Sequence, residues 1–393
     1  MGIEDRGSHV HILTFADHVE LAVSPERTQI ATCRALAERG HRIDAVRVVP
    51  ADLDGWEGVA APVAQVADTT RPRIPFAKPH RAFERAQGIG HLEADVIYVF
   101  HYLHLPLAVA VGRLSHAPVV LHLCLPRPDR LAAVVRRSLP RVAMTLAASF
   151  DVASRWRDSG LGAESVIVVH TGVDSDHHVP MPPATRQTTR RTLGLEPDAF
   201  VALYSGRIGP DEGLEVLMEA ARLLTGTHAG FRLVMEGGPP AGADAAEATR
   251  YRDELCARAG PTDIRWLDRW DDPVPLYGVS DVTVVPSTLP EPFTRSAIES
   301  LACGVPAVAT DVGGNPEILV DPLERLLVPP GDAPALAERI GSLIDWRTDE
   351  PELGARCRAV TTRRLSLVRM IDTVEAALAS VARHRSDDLE GSD

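Results

Sequence analysis

The sequence predicts an α/β protein built as two doubly wound domains, and three observations carry that prediction. At 393 residues the chain is longer than one ordinary core and suits two of similar size. Short, nearly uninterrupted apolar runs recur along it, as in strands buried on both faces. Segments of helical period separate those runs, the alternation that builds parallel sheets covered by helices.

The first run is HVHILTF at 9–15. In ERTQIATCRALAERG, residues 26–40, Ile30, Cys33 and Ala37 share one helical face and Gly40 stops the helix. Further strands are expected at 42–49 (RIDAVRVV), 94–100 (ADVIYVF), 118–125 (PVVLHLCL), 141–147 (RVAMTLA) and 165–170 (SVIVVH). Residues 175–199 are polar, proline-rich and aperiodic, and read as the interdomain linker. The alternation resumes with strands at 200–205 (FVALYS), 231–237 (FRLVMEG), 263–267 (DIRWL), 281–287 (DVTVVPS), 306–311 (PAVATD) and 325–330 (RLLVPP). No repeat of solenoid period occurs, and the acidic end SDDLEGSD reads as a disordered tail.

Aromatic residues make up only 5% of the chain and its net charge is -13. Such a chain lacks the positive field that tracks a polyanion, so a small metabolite is expected as partner rather than nucleic acid. The start, MGIEDRGSHV, carries acids where a signal peptide needs a basic region and an apolar run. No apolar segment reaches membrane-spanning length, so a cytoplasmic protein without a membrane partner is expected. The cysteines Cys33, Cys124, Cys256, Cys303 and Cys357 are odd in number and form no C-x-x-C pair, which reads as reduced thiols rather than a zinc site. Lys78 is the one lysine among many arginines, the mark of a GC-rich, bacterial coding bias.

The unusual residues of the second half gather where its predicted strands end, the place where open parallel sheets bind ligands. They are GRIGPDEG (206–213), EGGPP (236–240), TLPEPFTRS (288–296) and VGGNPE (312–317). Gly206, Gly237, Gly238, Gly313 and Gly314 allow close approach to a ligand or positive φ, and amides at a helix start attract phosphate. Glu291 and Glu299 stand with seven residues between them. Thr294 is the expected N-cap of a helix ended by Gly304, which leaves Glu291 in the loop and Glu299 inside the helix. Carboxylates on either side of free amides suit a ligand with hydroxyls at both ends and a diphosphate between, as in a nucleotide sugar. A glycosidase pair would need carboxylates opposed across one bond, and a solvated Glu299 is the plainer reading of that residue alone.

The segments SGRIGPDEGLEVLMEAARLL (205–224), LVMEGGPP (233–240), IRWLDRWDDPVPLYGVSDVTVVPS (264–287) and EPFTRSAIESLACGVPAVATDVGGNPEIL (291–319) resemble the retaining glycosyltransferases of family 4, with their E-x7-E motif. A looser likeness continues in ALAERGHRI (35–43) and VIVVHTGVD (166–174). The resemblance implies a GT-B fold, two Rossmann-like domains facing across a cleft. Its parts would be an acceptor-side domain at 1–178, a nucleotide-sugar domain at 179–365, a helix at 366–385 crossing back to the first domain, and a tail at 386–393. It implies a nucleoside-diphosphate sugar, a small hydroxylated acceptor, retention, no metal and no cofactor. By motif, Glu291 would bond hydroxyls of the donor sugar and Glu299 those of the ribose. The amides of Phe293, Thr294 and Arg295 would hold the sugar or diphosphate, Arg207 beside Gly206 would neutralise the leaving diphosphate, and Arg269 would lie near the base. The family's first-domain histidine would be His101 or His104 in FHYLHLP, with His122 a further acceptor-side candidate.

The chain departs from the family pattern at three places, one of them FHYLHLP, where register does not choose between His101 and His104. Glu212 stands where a lysine is usual, reversing a charge near the expected diphosphate. Either it points away, or a cation such as Arg295 substitutes, or the donor or activity is unusual. Residues 14–29, TFADHVELAVSPERTQ, lack the family's glycine-rich first loop. Their Asp17, Glu20 and Glu26 suit a cationic acceptor such as an aminocyclitol, beside the plainer reading as solvated acids. DSDHH at 174–178 reads as a linker entry rather than a metal cluster, and the arginines of 129–141 as a solvated helix face rather than a membrane contact. The expected protein is a retaining, metal-independent glycosyltransferase of secondary metabolism. Its rivals are a silent GT-B homologue that binds a nucleotide or partner enzyme, and a nucleotide-sugar epimerase.

Overall fold

The computed structural model describes residues 9–16, 24–47, 61–65, 86–157, 159, 161, 166–240 and 244–390. The chain divides into two compact units, one of residues 1–170 with 370–393 and one of residues 171–369. In the first, strands β1 (His11–Ala16), β2 (Arg42–Arg47), β3 (Ala61–Gln65), β4 (Val96–Val99), β5 (Val119–Leu123), β6 (Met144–Ala147) and β7 (Val166–Val168) lie in the order β3-β2-β1-β4-β5-β6-β7. In the second, β8 (Phe200–Ser205), β9 (Phe231–Glu236), β10 (Ile264–Leu267), β11 (Val282–Val285), β12 (Ala307–Thr310) and β13 (Leu327–Val328) lie in the order β10-β9-β8-β11-β12-β13. Every pairing in both sheets is parallel. These are doubly wound orders, which reverse at β1/β4 and at β8/β11 and so open a ligand position beside each reversal. Among the described residues no helix is long and apolar enough to cross a membrane.

The unbroken apolar runs have a direct cause in the second sheet. Along β8, Ala202 and Tyr204 enter one buried cluster while Val201 and Leu203 enter another. Both faces are covered, so neither can be polar. Strand β3 escaped the sequence reading because APVAQ holds a proline and little branched apolar bulk. It is an edge strand, paired to β2 alone, where a missing amide donor is tolerated.

Residues 175–199 are not a linker. The division after His170 places them inside the second unit, where Pro183–Thr192 is a helix. One buried side chain fixes it. Arg190 is 1% exposed and donates to the carbonyls of Val279, Pro197 and Ala199 and, at 2.7 Å, to Asp281. The Asp281 carboxylate also takes Arg186 at 2.5 Å, Arg347 at 3.3 Å and the Val201 amide at 2.9 Å. A segment anchored through buried charge shows no apolar period, which is why the sequence hid it.

The last helix, Leu367–Glu390, carries Met370, Ile371, Val374, Ala377, Leu378 and Val381 on its buried face. Within the first unit, Glu375 accepts from Arg39 and pairs with His41 at 2.8 Å. The helix runs to Glu390, so most of the acidic end read as a disordered tail continues it. All five cysteines are free thiols, and four of them are buried.

Asp281→Ala would leave Arg190 buried without its counter-charge. A loss of about 3–5 kcal/mol is expected, read as a fall in the urea midpoint of the second unit's transition. A loss below about 1 kcal/mol would show that the carbonyls alone hold Arg190.

Candidate functional site

Four loops meet at the carboxyl ends of β8, β9, β11 and β12, and they meet backbone to backbone. A β-carbon at Gly213 would collide with the Pro286 carbonyl, at Gly237 with that of Gly206, at Gly313 with the backbone of Glu291, and at Gly314 with the Pro292 carbonyl. Gly213, Gly237 and Gly313 also hold positive φ, of 74°, 140° and 57°. Of the two reasons expected for these glycines, positive φ holds at Gly237 and Gly313, and at Gly237, Gly313 and Gly314 a neighbouring loop takes the place of a side chain. Gly206 lies against the Tyr204 ring, whereas Gly238 faces open space.

The interlock sets the side chains. Glu291, half-buried, accepts from Ser287 Oγ at 3.0 Å, and its carbonyl takes the Gly314 amide at 2.9 Å. Thr294 Oγ1 lies 3.3 Å from the Glu291 carboxylate and donates at 2.7 Å to Asn315, whose amide nitrogen donates to the Thr310 carbonyl. Ser287 and Asn315 were not singled out from sequence; their place immediately beside the motif was the available signal. The helix Arg295–Ala302 begins here with Thr294 as N-cap residue, though its hydroxyl is spent on Asn315 rather than on the helix amides.

Glu299 is 6% exposed. Tyr277 donates its hydroxyl to one oxygen at 2.8 Å, and Arg295 reaches the other at 2.8 Å. Burial alone would raise this carboxyl, but Arg295, His178 and the Tyr277 hydroxyl hold it below its ordinary range. Glu299 is therefore an ionised anchor with spare acceptor capacity. Glu236, also buried, is closed off by Ser205 at 2.7 Å and the Trp270 amide at 2.7 Å.

Glu212 neither points away nor yields to a substitute cation. It is 7% exposed, binds Arg207 at 2.5 Å and hydrogen-bonds Glu291. Arg295 is committed to Glu299. Burial and the neighbouring Glu291 charge push the Glu212 carboxyl up to about 7, against the opposing pull of Arg207. Phe293 and Thr294 are buried at the helix start, and Arg269 is exposed in the loop after β10.

In the first unit, His101 follows β4 at the reversal point and accepts the Leu103 amide on Nδ1 at 3.2 Å, capping the turn Tyr102–His104. His104 is 3% exposed, its ring beside Phe15 and His101. His122 is corrected from an acceptor-side residue to a core one. It lies on β5, 1% exposed, with Nδ1 2.7 Å from the Tyr98 hydroxyl, and burial lowers it to about 3. Asp17 and Glu20 lie outside the described residues. In DSDHH the Asp174 carboxylate accepts the amides of Asp176 and His177, as in an Asx turn. Among the described residues no three His, Cys, Asp or Glu side chains converge as a metal site.

Residues 185–359, most of the second unit, match the family of glycosyl transferases group 1. In this span the second unit is similar to that family. The D-inositol 3-phosphate glycosyltransferase of Mycolicibacterium smegmatis is 34% identical over 222 residues, 56% of this chain and 48% of that protein. The chain thus spans about half the length of that relative and of the next two, 44% and 49%. D-inositol 3-phosphate glycosyltransferase 1 of Catenulispora acidiphila is 29% identical over 357 residues, 80% of this chain and 81% of that one. Among solved structures, Anabaena HepE in complex with UDP and glucose superposes with a TM-score of 0.79 at 20% identity, covering 95% of this chain and 100% of that one. Sucrose-phosphate synthase from Thermosynechococcus elongatus gives 0.71 at 20% identity, covering 98% and 100%. The family match and these superpositions make the architecture GT-B.

Glu212 ionises near pH 4.5 when unfolded and near 7 when folded, so the folded state holds the extra proton between those values. Its contribution to stability is therefore lost as pH rises from about 4.5 to 7 and is level above. Urea titrations at pH 5 and pH 8 are expected to show Glu212→Gln gaining on the wild type over that interval. Parallel curves would mean that the Glu212 proton is not held.

Proposed function

We propose that this protein is a retaining glycosyltransferase that moves a sugar from a nucleoside diphosphate to a hydroxyl of a small polar acceptor. One observation carries the reading: within the span that matches the group 1 family, Glu299 is buried, ionised and anchored just over a turn inside a helix whose first amides lie between it and Glu291 in sequence. That order of carboxylate, amides and carboxylate matches ribose, diphosphate and sugar. Glu291 is the group placed for the sugar hydroxyls, the amides of Phe293, Thr294 and Arg295 for the diphosphate, and Arg207 for the charge that develops on it.

Breaking the sugar-phosphate bond builds positive charge on the ring and negative charge on the leaving oxygens, so donors fixed beside those oxygens lower the barrier most. Arg207, half-exposed and on the loop after β8, is such a donor once a diphosphate competes for it with Glu212. Positioning of the acceptor hydroxyl supplies the remainder, and His101 at the reversal point of the first sheet is the residue we assign to that side. Retention, independence from metals and other cofactors, and a cytoplasmic location belong to the same proposal. The relatives act, by name, on D-inositol 3-phosphate, which makes a cyclitol the first acceptor class to test, with an aminocyclitol of secondary metabolism as the variant.

Calorimetric titration with UDP, GDP, ADP, CDP and dTDP at pH 6.5 is expected to show binding of one of them, UDP being tried first because a solved neighbour holds it. Glu299→Ala is expected to weaken that nucleotide by 10- to 100-fold, on the order of one lost hydrogen bond to a charged group. Arg207→Ala is expected to lower kcat for transfer to myo-inositol phosphate by on the order of 100-fold. Binding of none of the five nucleotides would favour the silent homologue, a reading that the Arg207–Glu212 bridge otherwise supports.

A further inference from the structure

Glu212 has no part in the roles assigned above, yet it occupies the centre of the site. Its carboxyl touches the one guanidinium placed for the diphosphate and the one carboxylate placed for the sugar. The groups that face it come from four elements: Arg207 on the loop after β8, Glu291 on the loop after β11, Tyr204 at the end of β8, and Tyr251 on the helix Ala245–Ala259. Tyr251 in turn donates to Glu215 at 2.9 Å, and the Gly209 carbonyl lies 3.2 Å from the same hydroxyl oxygen. Of the charges that act on Glu212 itself, Arg207 is the cation and Glu291 the acid, while Glu215 and Arg258 act on Tyr251.

A bound diphosphate changes that balance. It competes for Arg207, and a carboxylate left behind, 7% exposed and beside Glu291, would have neither cation nor water. A proton on Glu212 removes the conflict and turns a repelling acceptor into a donor. We propose that Glu212 is a specificity-determining acid that takes up a proton from solvent when the nucleoside diphosphate binds, and then donates a hydrogen bond to Glu291 or to the diphosphate. This rests on the donor-binding reading of the same site. The balance is one proton moved from bulk water to one carboxylate, with no bond to carbon made or broken. Protonation of Glu212 near neutral pH in the free protein is in accord with it.

The test is calorimetric titration of the full chain with UDP from pH 6.5 to 8.5, in PIPES, HEPES and Tris so that buffer ionisation heats report the protons taken up. The wild type is expected to take up a fraction of a proton at pH 7.5 and to lose about tenfold in affinity between pH 7.5 and 8.5. Glu212→Gln, which carries the donor permanently, is expected to change less than twofold over that interval; the difference between the two curves cancels the nucleotide's own protonation. Should that variant not fold, Glu291→Gln serves, since removal of the neighbouring charge is expected to move the wild-type loss of affinity to lower pH. Identical curves for wild type and Glu212→Gln, or an unmoved curve for Glu291→Gln, overturn the proposal while the donor reading stands. Absence of binding by all three proteins at every pH, with UDP and then with GDP, ADP, CDP and dTDP, overturns both.

Discussion

The site depends on the closeness of four loops at the carboxyl end of the second sheet. Gly213 against Pro286, Gly237 against Gly206, and Gly313 with Gly314 against Glu291 and Pro292 leave no space for a side chain at any of these glycines. Such contacts join the ends of non-adjacent chain segments through main-chain atoms, which have few internal freedoms. The carboxylates are thereby placed by backbone geometry rather than by their own flexible stems. Glu291 shows the result, its main chain clasped by Gly313 and Gly314 while Ser287 donates to its carboxylate. A second anchor works at the sheet's opposite end, where Asp281 at the start of β11 gathers Arg186, Arg190 and Arg347.

Much of this architecture was legible because burial writes itself into composition. β8 spans the six residues that the sequence indicated, since a central strand covered on both faces must be apolar along its whole length. Where stabilisation is not apolar the pattern fails. The helix Pro183–Thr192 is held by buried arginine and β3 by edge pairing, and neither leaves a period to read. The positive φ expected of the glycines is found at Gly237 and Gly313, but the neighbouring loops were not foreseen, because missing bulk looks the same in sequence whatever takes the space. His122 illustrates the same limit: a histidine in an apolar strand reads as a functional candidate until the Tyr98 hydroxyl is seen to satisfy it.

The pairing of Glu299 with Arg295 was within reach of sequence, being an i,i+4 pair on one helix, whereas the pairing of Glu212 with Glu291 was not. The latter joins the loop after β8 to the loop after β11 across 79 residues and exists only because the sheet reverses between those two strands. Charge reversal at Glu212 could therefore be noticed in the sequence but not interpreted there.

Two glutamates in one site, both nearly inaccessible, are driven in opposite directions, and the partners account for it. Glu299 meets a guanidinium, a phenol hydroxyl and a histidine, all of which stabilise negative charge, and their sum exceeds the cost of burial. Glu212 meets one guanidinium and one carboxylate, which oppose each other and leave burial to decide. The same residue type thus supplies a fixed anion at the helix and, at the loop, an acid that titrates near neutral pH. An isosteric glutamine would preserve the character of the second and destroy that of the first, because only the first is required to carry charge. The chemistry of this site is in that sense written in the surroundings of its carboxylates, and one more cation beside Glu212 would have made the two alike.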